Sequence, residues 1–569
     1  MHRPLAAACC LVLAACRSAP EPGRPTAGGA PLVLRGAVVR ASGDALEDAV
    51  VVVEGQRIAA MGRARDVPVP PDATALGGPG SFIVAGLVDA HVHFFQSGRL
   101  ATRPDVLDVT ARVPYREERA RIAAELDTTF RRYLRAGITG VIDFGGPMWN
   151  FEVRERAARS PLAPRVAVAG PLLASVSRPQ LALDDPPIVQ VTDPAAARAM
   201  VRELAARHPD FVKLWWVVPA GAAPEAWTPV ARAAVEEAHA AGLRVAVHAT
   251  ELATAKAALR AGADVLVHGV FTGEVDAEFL DLLRARRVPY VTTLTVLQGY
   301  RDVLGKRVRL GGPDLELADP ASVATVLEDF DAPAGRSGRP IPPEAARNVK
   351  RVWDAGGLVV AGSDAGNIGT FHAAGLHREL EALVAAGLSP AQALAAATIQ
   401  AARLLGRSDL GDVAPGLTAD LLVLEADPRA SVANLRRITW VVKGGVARRP
   451  DEILARTAAD VVQMQANAYN ARDADAFAAT YAEDAVVARA ASGEVLARGR
   501  AAIRDRYAKL FESSPTSRLR IAERRTEGEA VVLDHEIVTG RAPERPDPWD
   551  VGVVRYEVGA GLIRRAELP

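Results

Sequence analysis

At 569 residues the chain exceeds what one hydrophobic core can hold, and about two to four domains are expected. Composition is globular, 49% hydrophobic and 24% charged, and 68 basic residues offset 68 acidic ones, which excludes a long-range field favouring nucleic acid. The three cysteines, Cys9, Cys10 and Cys16, fall in the first sixteen residues, so beyond them neither a disulfide framework nor a thiolate metal site is available.

The N-terminus has the layout of an export signal: basic Met1-His2-Arg3, apolar Leu5 to Leu13, then Ala14-Ala15. It is too short to span a bilayer. Leu13-Ala14-Ala15-Cys16 resembles the bacterial lipobox, with an ordinary secretory signal as the alternative. That resemblance implies a signal peptide over 1–16, lipidation at Cys16, and a Pro/Gly/Ala-rich tether over 17–31. The mature protein would sit in the bacterial cell envelope, on the periplasmic side or the outer membrane, touching membrane only through the lipid.

Two short β-rich runs follow, Leu32 to Val39 and Ala49 to Ile58, and similar runs return near Ala419 to Leu424 and Trp440 to Gly445. The flanks 32–82 and 409–450 are expected to form one β-sandwich interrupted by a larger domain over 83–408. In that domain apolar runs alternate with helical stretches, near Ile83–His93, Gly137–Phe144, Arg165–Ala169, Phe211–Val217, Arg244–His248, Asp264–His268, Tyr290–Thr295 and Leu358–Asp364. Eight such strands argue for an α/β fold, a (β/α)8 TIM-like barrel. The long stretch from Gln298 to Arg351 is a candidate lid. Over 455–569 helical periodicity comes first, through Tyr481 and again from Arg500 to Phe511. Strand-like runs Ser517–Glu527, Glu529–Thr539 and Trp549–Ala566 follow, an α+β cone. Asp534 and His535, on the second run, are expected to be structural or solvent-facing.

Chemistry-bearing residues fall at the ends of the barrel strands, where this architecture places active sites: Asp89, His91, His93, Lys213, His248, His268 and Asp364. A side-chain period of two puts His91 and His93 on one side of their strand. Each alone is weak; a lone His-x-His pair is most often structural.

Phe82-Ile83-Val84-Ala85-Gly86-Leu87-Val88-Asp89-Ala90-His91-Val92-His93 resembles the first barrel strand of the amidohydrolase superfamily. Leu376-His377-Arg378-Glu379-Leu380, Ala393 to Thr398, and Leu410 to Asp420 carry the resemblance on through about residue 449. It is strongest to the imidazolonepropionase-like and Xaa-Pro or Xaa-Arg dipeptidase branch. The family's glutamate before the sixth-strand histidine is Val267 here, which weakens transfer of any subgroup's substrate. The last segment is similar to nuclear-transport-factor-2-like (ketosteroid-isomerase-like) domains, at Ala468 to Asp473 and Tyr481 to Val486.

The amidohydrolase resemblance implies a binuclear site for two divalent ions, with zinc the first expectation for nitrogen and oxygen ligands. His91 and His93 would hold the more buried ion, His248 and His268 the second, and Asp364 would touch the first and carry the proton. Lys213 would bridge both as a carbon-dioxide-derived carbamate; a lysine paired with an acid is the alternative. An ammonium has no lone pair. About 3.5 Å from a cation at an effective dielectric of about 20, each unit-charge pair costs about 5 kcal/mol.

The implied reaction is hydrolysis of a C–N bond, in a dipeptide or acyl-amino acid, through a metal-bridging hydroxide. A deaminase, a lactonase, or a noncatalytic envelope ligand-binding protein are alternatives. Partners are expected to be a small molecule or short peptide, with a homo-oligomer open. Trp149, Trp215, Tyr300 and His377 are candidate substrate contacts, each with a packing role as the alternative.

Overall fold

The computed structural model describes residues 30–219, 221–331, 340–541 and 546–569. The leader and Cys16 lie outside them.

The two flanks meet in one hydrogen-bonded sheet of seven strands, and Ile58 and Val442, from strands near its opposite edges, share one small core. Thr74–Ala85 is its hinge: it pairs parallel to Leu32–Val39 and antiparallel to Leu421–Leu424, with Ile83 opposite Val423. Residues Val50 to Val53 are buried on both faces, Val51 and Val53 in one small core and Val50 and Val52 in another. This is why the run is uninterrupted valine rather than alternating. The tips of two hairpins also touch, and a Cβ on Gly445, at φ 78°, would sit 1.7 Å from the Gly55 carbonyl oxygen. Only glycine fits there.

In the central domain all eight anticipated runs contain strands, but Ile83–His93 is two elements. Ile83 to Ala85 belong to the flanking sheet and Leu87–Val92 begins the barrel. Gly86 separates them, where a Cβ would meet the Thr139 hydroxyl at 2.4 Å. Leu87–Val92, Ile138–Asp143 and Arg165–Val168 form a three-stranded parallel arc. A second arc runs from Leu172–Ala174 through Phe211–Trp215, Arg244–His248, Val265–Val267 and Pro289–Thr292 to Leu358–Ala361, with Ile188–Gln190 added at its edge. The third strand breaks at Gly170-Pro171, between Arg165–Val168 and Leu172–Ala174. A proline cannot donate to a ladder. On the other side the arcs touch through one parallel bridge, Val92 to Ala365. The domain is therefore barrel-like without one closed ring of ladders. Phe211, Ala246, Val265, Val291 and Val360 fill the interior, and helices pack outside.

The segment expected as a lid contains helices Gly312–Leu317, Pro320–Val326 and Glu344–Asp354, preceded by Leu294–Leu304. Part of it is a bracket for the last domain, where the Asn467 side-chain amide donates to the Pro320 carbonyl at 2.8 Å.

That last domain has its own core and is mostly sheet, six strands with helices Ala458–Ala471, Ala474–Ala479 and Arg500–Ser513. Tyr481, expected on a helix, opens the strand Tyr481–Arg489, because the helix stops at Ala479 and the aromatic ring is buried against the sheet. Asp534 is buried and accepts two bonds from Arg524, at 2.7 and 2.6 Å; His535 is half-buried beside Asp550.

Candidate metal centre

His91 and His93 leave the end of Leu87–Val92, and the backbone locks them against the loop after Leu358–Ala361. The Asp364 N–H donates to the His91 carbonyl at 2.7 Å and the His93 N–H to the Ala365 carbonyl at 2.9 Å. Asp89 fastens the same joint: its buried carboxylate accepts from the Ser363 N–H at 2.9 Å and the Ser363 hydroxyl at 2.6 Å. Burial pushes Asp89 up to about 7. Asp89 is thus a clamp beside the site. Asp364 and His268 both sit at left-handed φ, 58° and 72°. Such backbone costs about 1–3 kcal/mol and persists where the surroundings enforce it.

The result is a convergence of acceptor atoms. His93 Nε2 lies 3.3 Å from His91 Nε2 and 3.1 Å from Asp364 Oδ1, which is 3.6 Å from His91 Nε2. The His93 Nδ1–H donates to the Gly145 carbonyl at 2.6 Å, so Nε2 is the atom offered to the centre. Among the described residues, His91, His93 and Asp364 form a group able to hold a metal ion.

The remaining predicted residues face the same cavity, of about 650 Å³, which His93, Lys213, His248, His268 and Asp364 all line. The His248 and His268 rings are 4.3 Å apart, and His268 is 4.8 Å from His91. His268 Nδ1 pairs with the Thr293 hydroxyl at 2.8 Å. Burial, reinforced by Lys213 and neighbouring histidines, holds His91, His248 and His268 well below the usual histidine range, leaving their lone pairs available.

Lys213 is 1% exposed, its Nζ has no hydrogen-bond partner, and it lies 5.3 Å from the Phe144 ring centroid. Burial pushes it down to about 7 despite the opposing pull of Asp364. Asp364 Oδ1 is buried too, with the His93 ring nitrogen 3.1 Å away. A buried carboxylate oxygen flanked by the Nε2 atoms of His91 and His93 is a donor set that fits a divalent cation.

His93 differs from its neighbours. Burial disfavours its charge, but Asp143 and Asp364 outweigh that and raise it to about 9. A proton therefore occupies His93 in the metal-free site below that pH, and an arriving cation must expel it. Zinc affinity is expected to rise about tenfold per pH unit between pH 7 and 8, measured by chelator competition. An affinity flat over that range would contradict this assignment.

The substrate contacts divide. Trp215 and Tyr300 line the cavity. Trp149 does not; it is half-buried on its loop, where its backbone N–H donates to Asp185 at 2.9 Å. His377 is a correction. It is buried, its Nε2–H donates to the Ala136 carbonyl at 2.9 Å, and burial holds it down to about 4, so it ties its helix to the Arg135–Ile138 turn.

Sequence reasoning missed Arg103, Asn367 and Asp143. Arg103 reaches the cavity wall, paired to Asp105 by two bonds of 2.7 Å and donating to Asn367 Oδ1 at 2.8 Å. The Tyr300 hydroxyl donates to the same oxygen at 2.7 Å. Asp143 accepts from the Phe94 and Gly145 N–H groups, holding the loop whose carbonyl orients His93. Asp143 ends the strand Ile138–Asp143, a position that could have marked it as a site neighbour.

The sequence profile described as the amidohydrolase family matches residues 82–448. The chain belongs to the amidohydrolase family. A SnoaL-like domain follows over residues 448–566, consistent with the nuclear-transport-factor-2-like expectation. This amidohydrolase is 27% identical to the imidazolonepropionase of Streptomyces avermitilis over 404 residues, 68% of this chain and 83% of that protein. It is 30% identical over 263 residues, 45% of its length, to an uncharacterized protein of Mycobacterium bovis, and spans 63% of that relative. A candidate prolidase from Bifidobacterium longum superposes with a TM-score of 0.55 at 26% identity, covering 74% of this chain and 95% of that one.

Proposed function

We propose that this amidohydrolase hydrolyses a C–N bond in a dipeptide or acyl-amino acid, with two divalent ions, zinc first, held by His91, His93, His248, His268, Asp364 and a carbamylated Lys213. The observation that carries the reading is the convergence of His91 Nε2, His93 Nε2 and Asp364 Oδ1 beside a cavity of about 650 Å³.

A cation bound there would polarise a substrate carbonyl and acidify water. The chain's residues supply the rest. Asp364 Oδ1, which points into the site 3.1 Å from His93 Nε2, is placed to take the proton of the attacking water and deliver it to the departing amine. The Gly145 carbonyl holds the His93 ring so that its Nε2 stays aimed inward. Lys213, brought to about 7 by burial, has a substantial neutral fraction near neutral pH. Its lone pair can therefore attack carbon dioxide, the nitrogen losing a proton as the N–C bond forms. The carbamate would replace an unpaired amine with two anionic oxygens. The apolar wall at Phe95, Leu172, Trp215 and Leu297 suits a side chain or acyl group.

A screen of dipeptides, acyl-amino acids and lactones against zinc-loaded enzyme tests the reading. Amide turnover abolished by chelator and restored by zinc is expected. Turnover of lactones alone, or none with zinc bound, would move the protein to one of the other classes.

We also propose lipid anchoring at Cys16, supported by the leader sequence. No helix among the described residues is long and apolar enough to cross a membrane. Cys16→Ser is expected to release the protein from membrane fractions or block its processing; a wild-type protein with an unmodified N-terminus upstream of Cys16 would contradict it.

A further inference from the structure

A second cavity, of about 320 Å³, lies where the central domain, the Leu315–Ser322 stretch and the start of the last domain meet. None of the six proposed metal ligands lines it. Gln96 does, and Gln96 also lines the catalytic cavity, with its Oε1 buried and unpartnered.

Its charged lining is unevenly paired. Arg132 is matched by Asp319 at 3.2 Å. Arg135, three residues on in the same helix, and Arg456, from the linker opposite, both donate to one neutral acceptor, the Glu316 carbonyl oxygen. Arg135 Nε is buried with no hydrogen-bond partner, and the carboxylate near this residue, Asp451 at 3.5 Å, is 83% exposed. Arg456 makes no ion pair among the described residues; burial, then Arg135, brings it down to about 10, against the opposing pull of Glu316 and Asp451. Two guanidiniums thus crowd one carbonyl, an arrangement that an added anion would relieve. The rest of the wall selects among anions. Phe94, Leu126, Leu315 and Met464 are apolar, while four acidic residues, Glu125, Glu316, Asp319 and Asp460, also line the wall and would repel a dianion.

We propose that this interdomain cavity is a second ligand site, for a small amphiphilic monocarboxylate whose head pairs with Arg456 and Arg135 and whose short apolar tail lies along Leu126 and Met464. The site is separate from the metal centre, and its test does not depend on the hydrolytic reading.

The experiment is calorimetric titration of octanoate into the zinc-loaded full-length protein, with octylamine as the charge control. Saturable octanoate binding is expected, at least tenfold weaker in Arg456→Gln and lost in Met464→Trp, which fills the cavity without touching the charge. Binding in Asp364→Asn is expected to match wild type, and octylamine is expected not to bind. Unchanged affinity in both cavity variants, loss of binding in Asp364→Asn, or no saturation of wild type up to about 10 mM would overturn the proposal.

Discussion

Lys213→Ala is expected to lose at least one zinc and to lower turnover by about a thousandfold or more, equivalent to about 4 kcal/mol in the barrier. Lys213 contributes no hydrogen bond in its unmodified form and is fully enclosed, so its amine has no structural partner to lose. What the variant removes, on the proposed reading, is the pair of oxygens between two cations. Acetate or propionate entering the vacated space is therefore expected to restore part of both the metal and the activity. Lys213→Arg is expected to fail with or without added carboxylate, since a guanidinium keeps its charge and forms no carbamate. A Lys213→Ala enzyme with near-normal zinc and turnover would remove the bridge from the account.

Asp364→Asn is expected to separate binding from chemistry. The residue sits at φ 58°, a conformation that asparagine tolerates as well as aspartate, so the backbone is preserved. The amide is the same size and keeps a carbonyl oxygen toward the centre, but has no carboxylate to accept and return a proton. Turnover is expected to fall about 10²- to 10⁴-fold, with most of the zinc and the melting temperature retained. His91→Ala is expected to lose metal as well, because its Nε2 lies 3.3 Å from that of His93 and 3.6 Å from Asp364. Near-normal rates in either variant would refute the assigned roles.

The parts of the site legible in the sequence were those that strand periodicity reports. His91 and His93 share a face because strand side chains repeat every two residues, His248 ends a strand and His268 and Asp364 follow strands, while Lys213 lies inside Phe211–Trp215 and was named through the family resemblance. Legibility stopped where position depends on partners distant in the chain. Arg103 and Asn367 are 264 residues apart and meet only because the loops after two different strands converge. His377 looked like a candidate contact from its place near the eighth strand, yet its ring faces the Ala136 carbonyl. Ile83 to Ala85 read as one run with the barrel strand, because the switch of sheets occurs at a single glycine whose need is set by Thr139. The open side of the barrel likewise depends on Gly170-Pro171, a dipeptide whose effect on a ladder is local and easily passed over inside an apolar run.

The most direct measurement of the central claim is anomalous diffraction at the zinc edge, on crystals of wild-type protein grown near pH 8 with zinc and bicarbonate. Two zinc peaks are expected, one ligated by His91 and His93 and one by His248 and His268, with continuous density from Lys213 Nζ to a carboxyl group between them. A single zinc beside an unmodified Lys213, in a preparation with full hydrolytic activity, would contradict it.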